Sequence, residues 1–172
     1  MPADRDEAIS RLAEHFRAWG VKNPEDWARS QVLHGIDQYA RLVFLRGAWQ
    51  CVVKAGDTSW IDAYIGAAER DPDGPGAGAG HALKRLCSAG ASREDLAELV
   101  RVMQFEVLFG FAYLLSDAEA PAYPQGAPHI DWRLFRLDED GKPVSGIDSL
   151  HESVLETDPT GNEMRPTPSR SG

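Results

Sequence analysis

Between Leu96 and Leu115 only Glu98, Arg101, Gln104 and Glu106 carry a charge or an amide, so apolar residues surround nearly the whole circumference of a helix drawn there. A helix apolar on all sides belongs in an interior. Ser92-Arg93-Glu94-Asp95 precedes it, and the Ser92 hydroxyl can cap the first turn while the acids complement the helix dipole. The pattern predicts a long, buried central helix from Ser92 to Ser116 that serves as the spine of the fold. Glu106, set between Phe105 and Val107, then needs a partner, because an isolated buried carboxylate is costly. Arg46, inside the apolar run Val43-Phe44-Leu45, is the candidate for a structural ion pair with it. Gln104 should be hydrogen-bonded for the same reason.

Other helices are predicted before residue 117. Ile9, Leu12, Phe16 and Trp19 recur at helical spacing and stop at Gly20. Asn23-Pro24-Glu25-Asp26 restarts a helix with an Asn cap, Pro at the first position and acids near the positive dipole end. The apolar periodicity then continues to Val53, with Gly35 and Gly47 as candidate breaks. Asp57 or Thr58 opens a helix through about Glu69, residues 71–80 form a Gly/Pro loop, and a helix over His81–Ser88 ends at Gly90. The five tryptophans fit apolar phases, and Cys51 and Cys87 read as buried thiols.

After Asp117 the texture changes. Residues 118–128 are a Pro-rich connector, and Trp132–Leu137 followed by Asp138-Glu139-Asp140-Gly141-Lys142-Pro143 predicts a hairpin returning through Val144. Ile147, Leu150, His151, Val154 and Leu155 fall on one face of a short helix, with Asp148, Glu152 and Glu156 on another. The predicted fold is mainly α: a single helical domain over 1–157, around the long buried helix, with a small C-terminal β-hairpin plus short helix. Residues 158–172 read as a flexible tail.

The 172 residues include 27 Asp+Glu against 18 Lys+Arg, a net charge of −9. Residues 117–172 hold 11 of those acids and only 5 of the bases. That balance argues against nucleic-acid binding, which needs cationic surface. No basic-then-apolar leader opens the chain, and the longest unbroken apolar run, Val107–Leu115, is well short of the roughly 20 residues that span a bilayer. A cytoplasmic bacterial protein with no membrane partner is expected.

The catalytic and cofactor motifs fail on spacing. Gly76-x-Gly78 lacks its third glycine, since position 81 is His81, and no Gly-Lys-Ser/Thr occurs. Asp138-x-Asp140-Gly141 lacks the remaining ligands of a calcium loop. His151-Glu152 lacks the second histidine of a zinc protease, because residue 155 is Leu155. No cofactor or metal is expected. Residues 81–103 have a helix-turn-helix outline around Gly90, but Glu94, Asp95 and Glu98 would repel phosphate.

Three functions follow in order. The first is a non-enzymatic interaction protein, of inhibitor or immunity type, whose acidic C-terminal region binds a basic protein partner through Trp132, Asp148, Glu152 and Glu156. The second is a small-ligand or metal-dependent enzyme using His151, Glu152 and Glu106. The third is a helix-turn-helix regulator presenting Arg85 and Arg93.

Overall fold

The computed structural model describes residues 2–116 and 132–165, so the connector at 118–128 and the end of the tail lie outside the described residues. Those residues form α1 (Pro2–Ala18), α2 (Pro24–His34), α3 (Gln38–Ala48), α4 (Ser59–Arg70), α5 (Ala77–Ser88), α6 (Arg93–Ser116), the hairpin β1 (Leu134–Leu137) and β2 (Pro143–Ile147), and α7 (Leu150–Ser153). The chain is mainly helical with a long α6 and a C-terminal hairpin followed by a short helix, as the sequence predicts. Its backbone contacts group into two compact units: Met1–Gln50 with Val107–Gly172, and Cys51–Glu106.

Local signals place most helix ends. Gly20 (φ 73°) ends α1, with its N–H donating to the Arg17 carbonyl and the Val21 N–H to Phe16, the paired bonds of a glycine C-cap. Gly90 ends α5 in the same way, through Cys87 and Leu86. Ser92 caps α6 by accepting from the Asp95 N–H at 3.1 Å. Asn23 caps α2 only with its backbone carbonyl.

In the first unit, Phe16 is fully buried, edge-on to Trp27 (5.6 Å) and Tyr39 (5.9 Å), with Ala13, Ala28 and Leu42 around it. A second buried group joins α3 to the C-terminal segment: Leu45, Trp49, Leu150 and Val154, where the Trp49 indole N–H donates to the Val154 carbonyl (3.1 Å) and the Thr157 hydroxyl (3.3 Å). The hairpin pairs Leu134 with Ile147 and Arg136 with Ser145, with a bulge before Leu137. Asp37 fastens it to α3. Its carboxylate caps α3 at the Ala40 N–H (3.2 Å) and accepts from Ser145 Oγ (2.5 Å) and Arg136 Nε (2.6 Å).

In the second unit α4 packs on α5 at Gly80, where a Cβ would lie 2.3 Å from the Tyr64 carbonyl oxygen and 2.6 Å from the Ala68 methyl. Two α6 side chains grip the same residue of the preceding loop: Arg101 donates to the Val53 carbonyl (2.9 Å), and Gln104 accepts from the Val53 N–H (2.7 Å). The expected hydrogen bonding of Gln104 is present.

Several expectations need correction. The central helix is not buried: of α6 only Ala97, Arg101 and Ala112 are. The Gly/Pro loop is shorter than 71–80, because Ala77–Gly80 is already helical and Gly80 supplies the close helix contact. The last helix is a single turn: Ile147 is claimed by β2, and Ser149 takes a left-handed conformation (φ 51°) before α7 starts. Residues 158–165 do not fit the expected tail, since Asp158 is buried and accepts from the Thr160 N–H (3.0 Å), the Thr160 hydroxyl (2.8 Å) and the Met164 N–H (3.1 Å). Cys51 and Trp19 are exposed.

Two outcomes test this packing. Gly80→Ala should lower unfolding stability by about 1–3 kcal/mol through overpacking, although alanine is the better helix former; a denaturant titration showing a stabilised variant would contradict the contact. Burial pushes the Asp37 carboxyl up, but the bonds from Ser145, the Ala40 N–H and Arg136 outweigh it and hold the group below its ordinary value of 3.8. Its contribution is therefore complete above that value and is lost as the pH falls through the lower, folded one. Asp37→Ala should cost about 1–2 kcal/mol at neutral pH and flatten the loss of stability in acid, read by thermal unfolding across pH.

Candidate interaction surface

α6 buries small and polar residues and exposes large apolar ones. Leu99, Met103, Val107 and Phe111, four residues apart, are 60%, 54%, 58% and 60% exposed. That spacing forms one ridge along a helix. Leu114 and Tyr113 extend it, and Gly110 lies within it, exposed. Contiguous apolar surface of this kind marks a contact site. Exposed Asp95 and Glu106 stand in line with the ridge, one turn before Leu99 and one turn after Met103, and exposed Glu94 and Glu98 lie further round the helix. The bases of α6 do not balance them. Arg101 is buried on the Val53 carbonyl, and both Arg93 terminal nitrogens donate to the Asp62 carboxylate, which holds that guanidinium above its usual range. The open face is thus apolar and anionic. Among the described residues α6 is also the one helix long and apolar enough to cross a bilayer by length and composition. A count of unbroken apolar residues misses this because Glu98, Arg101 and Glu106 interrupt the run.

Glu106 and Arg46 do not form the expected buried pair. Glu106 is exposed and needs no neutralising partner, while an Arg46 terminal nitrogen donates to the Trp19 carbonyl (2.9 Å). Burial pulls the Arg46 guanidinium down from its usual range, and the nearby Asp158 carboxylate opposes that. Trp132 is half-buried, with its indole N–H given to the Leu114 carbonyl at the end of α6 (2.8 Å), which caps the helix.

Asp148, Glu152 and Glu156 are exposed but share no helix face, because Asp148 precedes α7 and Glu156 follows it. Two of them have a role that the sequence did not reveal. Arg41 is buried, with one terminal nitrogen donating to Ser153 Oγ (3.3 Å) and its Nε unpaired. Burial lowers its hold on the proton, and Glu152 and Asp148 act against that loss. His151 packs at 4.9 Å from the Tyr113 ring and 6.4 Å from Phe109, with its Nδ1 buried and unpaired rather than hydrogen-bonded as expected for a core histidine.

For an enzyme, His151 and Glu152 belong to the first unit and Glu106 to the second, and no group of three or more potential metal ligands exists among the described residues. A groove of about 580 Å³ along α1 and α2 is lined by Asp6, Glu14, Glu25, Arg17 and Arg29, and the Arg17–Glu25 ion pair already satisfies part of its charge. Sequence reasoning missed Asp37, Arg41, Ser153 and Asp158. Arg41 offers the same signal that drew attention to Arg46, a lone base between Tyr39-Ala40 and Leu42-Val43.

If Asp148 and Glu152 offset the burial of Arg41, the double variant Asp148→Asn with Glu152→Gln should lose up to about 1 kcal/mol of stability. A merely solvated acidic face would gain stability from relieved repulsion, so the sign of the change in a urea titration decides. Comparison of the chain with known protein families, with characterised proteins and with solved structures finds no match.

Proposed function

We propose that the chain is a non-enzymatic interaction protein that binds a basic protein partner, in keeping with an inhibitor or immunity-type role, and that the open face of α6 is its docking surface. One observation carries this: a ridge of large apolar side chains, bordered by Asp95 and Glu106, on a helix whose two arginines are both engaged within the protein. An apolar ridge supplies affinity, and an anionic border selects a partner whose apolar face is flanked by lysine or arginine. Exposed Asp138, Glu139 and Asp140 at the hairpin tip, with the net charge of −9, favour fast encounter with such a partner. The proposal moves the contact from Trp132, Asp148 and Glu152 to α6, because those three already serve contacts or charges inside the protein. The same charge disfavours a second copy of the chain and an anionic membrane as occupants.

The test uses a labelled 18-residue amphipathic helix with a leucine face flanked by lysines, and its counterpart with glutamates. The protein should bind the lysine peptide saturably, more weakly as salt rises, and ignore the glutamate peptide. Phe111→Glu should weaken binding at least tenfold at an unchanged melting temperature. Equal binding of both peptides, or none, overturns the proposal. So does a concentration-dependent dimer that Phe111→Glu breaks, or uptake by phosphatidylglycerol vesicles.

A further inference from the structure

We infer that the partner's docking element is an α-helix that seats one large side chain over Gly110, in the hole bounded by Val107, Phe111 and Leu114, with its basic residues beside that side chain. The inference rests on the cationic-partner reading above and names how that partner is held.

Positions 107, 110, 111 and 114 stand at i, i+3, i+4 and i+7, the four corners into which a neighbouring helix inserts a knob. Val107, Phe111 and Leu114 are exposed, so three corners are walls of apolar surface open to solvent. The fourth corner has no side chain at all. A Cβ built on Gly110 would meet nothing within 4 Å among the described residues, so no neighbour among them demands a glycine there. Nor does its backbone, which lies within the regular helix and is not among the positive-φ residues. Glycine is nevertheless the poorer choice in a helix interior, where alanine would be more stable. Its effect is to lower the floor of the hole, which lets a second helix approach towards the short end of the usual 8–10 Å range.

The occupant's chemistry follows from what surrounds the hole. From Val107 to Ser116 α6 carries no charged residue, and Glu106 stands one turn before Gly110 on the same helix. A knob seated at Gly110 therefore meets apolar walls, while a base a turn away on the incoming helix meets a carboxylate. The four-residue ridge from Leu99 to Phe111 suits the ridges of a helix better than the alternating side chains of a strand. A second copy would present another base-free face bearing the same glutamates.

The experiment is a two-by-two comparison: wild type and Gly110→Ala, against lysine-flanked 18-residue leucine helices that carry either Trp or Ala at the central apolar position. The wild type should bind the Trp peptide about tenfold more tightly than the Ala peptide. Gly110→Ala should melt about 2–4 °C higher and yet bind the two peptides within about twofold of each other. A Gly110→Ala protein that keeps the tenfold preference, or a wild type that has none, overturns the inference. If both peptides still bind and Phe111→Glu still abolishes binding, the docking surface itself stands and only the seat is wrong. Loss of selectivity for lysine over glutamate peptides removes the surface as well. A lower melting temperature for Gly110→Ala also overturns the inference, since it would reveal a contact inside the protein that excludes a Cβ.

Discussion

Ala97, Arg101 and Ala112 are the buried positions of a helix of 24 residues. Two methyl groups and a guanidinium form a thin contact for so long an element. Polar contacts hold α6 at its middle and its C-terminal end: Gln104 and Arg101 on Val53, Trp132 on the Leu114 carbonyl, and Ser116 Oγ accepting from the Leu150 N–H at 2.7 Å, while Phe109 and Tyr113 pack on His151. Leu99, Met103, Val107 and Phe111 nevertheless stay more than half exposed. Their exposure gives the helix an apolar ridge with carboxylates beside it.

That outcome shows where sequence periodicity stops being informative. An all-round apolar helix has no polar face to mark the solvent side, so its pattern contains no phase. The expectation of a buried spine assumed that apolar content measures coverage, whereas coverage depends on how much protein there is to wrap the helix. The same gap misplaced the buried charge. Glu106 and Arg101 are both lone charges in one apolar stretch, and only the covered side of the helix decides which is hidden. The covered side holds Ala97 and Ala112, so it was Arg101, in phase with them, that went inside.

What was legible had a local cause. Gly20 and Gly90 stop their helices through positive φ and bonds made within the last turn, Ser92 caps within three residues, and the turn of the hairpin is closed by Asp138 Oδ1 accepting from the Asp140 and Lys142 N–H groups. The misses share the opposite property. Ala77–Gly80 became helical because Gly80 lets α5 approach the Tyr64 carbonyl, which no stretch of ten residues can reveal. Thr157 and Asp158 became interior because Trp49, more than a hundred residues earlier, needed an acceptor for its indole N–H. Asp37 was missed because it anchors a strand that comes more than a hundred residues later.

The charged residues divide along the same line. Arg41 is buried on α3 and Arg46 half-buried, and each faces carboxylates from the last third of the chain: Asp148 and Glu152 for one, Asp158 for the other. Part of the acidic excess of residues 117–172 is thereby accounted for as structural compensation, since a buried guanidinium without nearby negative charge would strain the packing of α3 against α7. Glu163 adds to this, accepting from Lys22 (2.7 Å) and Arg165 (2.8 Å). Four of the eleven acids in that stretch, Asp148, Glu152, Asp158 and Glu163, are thus offset by bases within the protein. The carboxylates along α6 are not, because the arginines of that helix are engaged elsewhere. Exposed Asp95 and Glu106 therefore stand beside the apolar ridge with no base of their own helix to offset them.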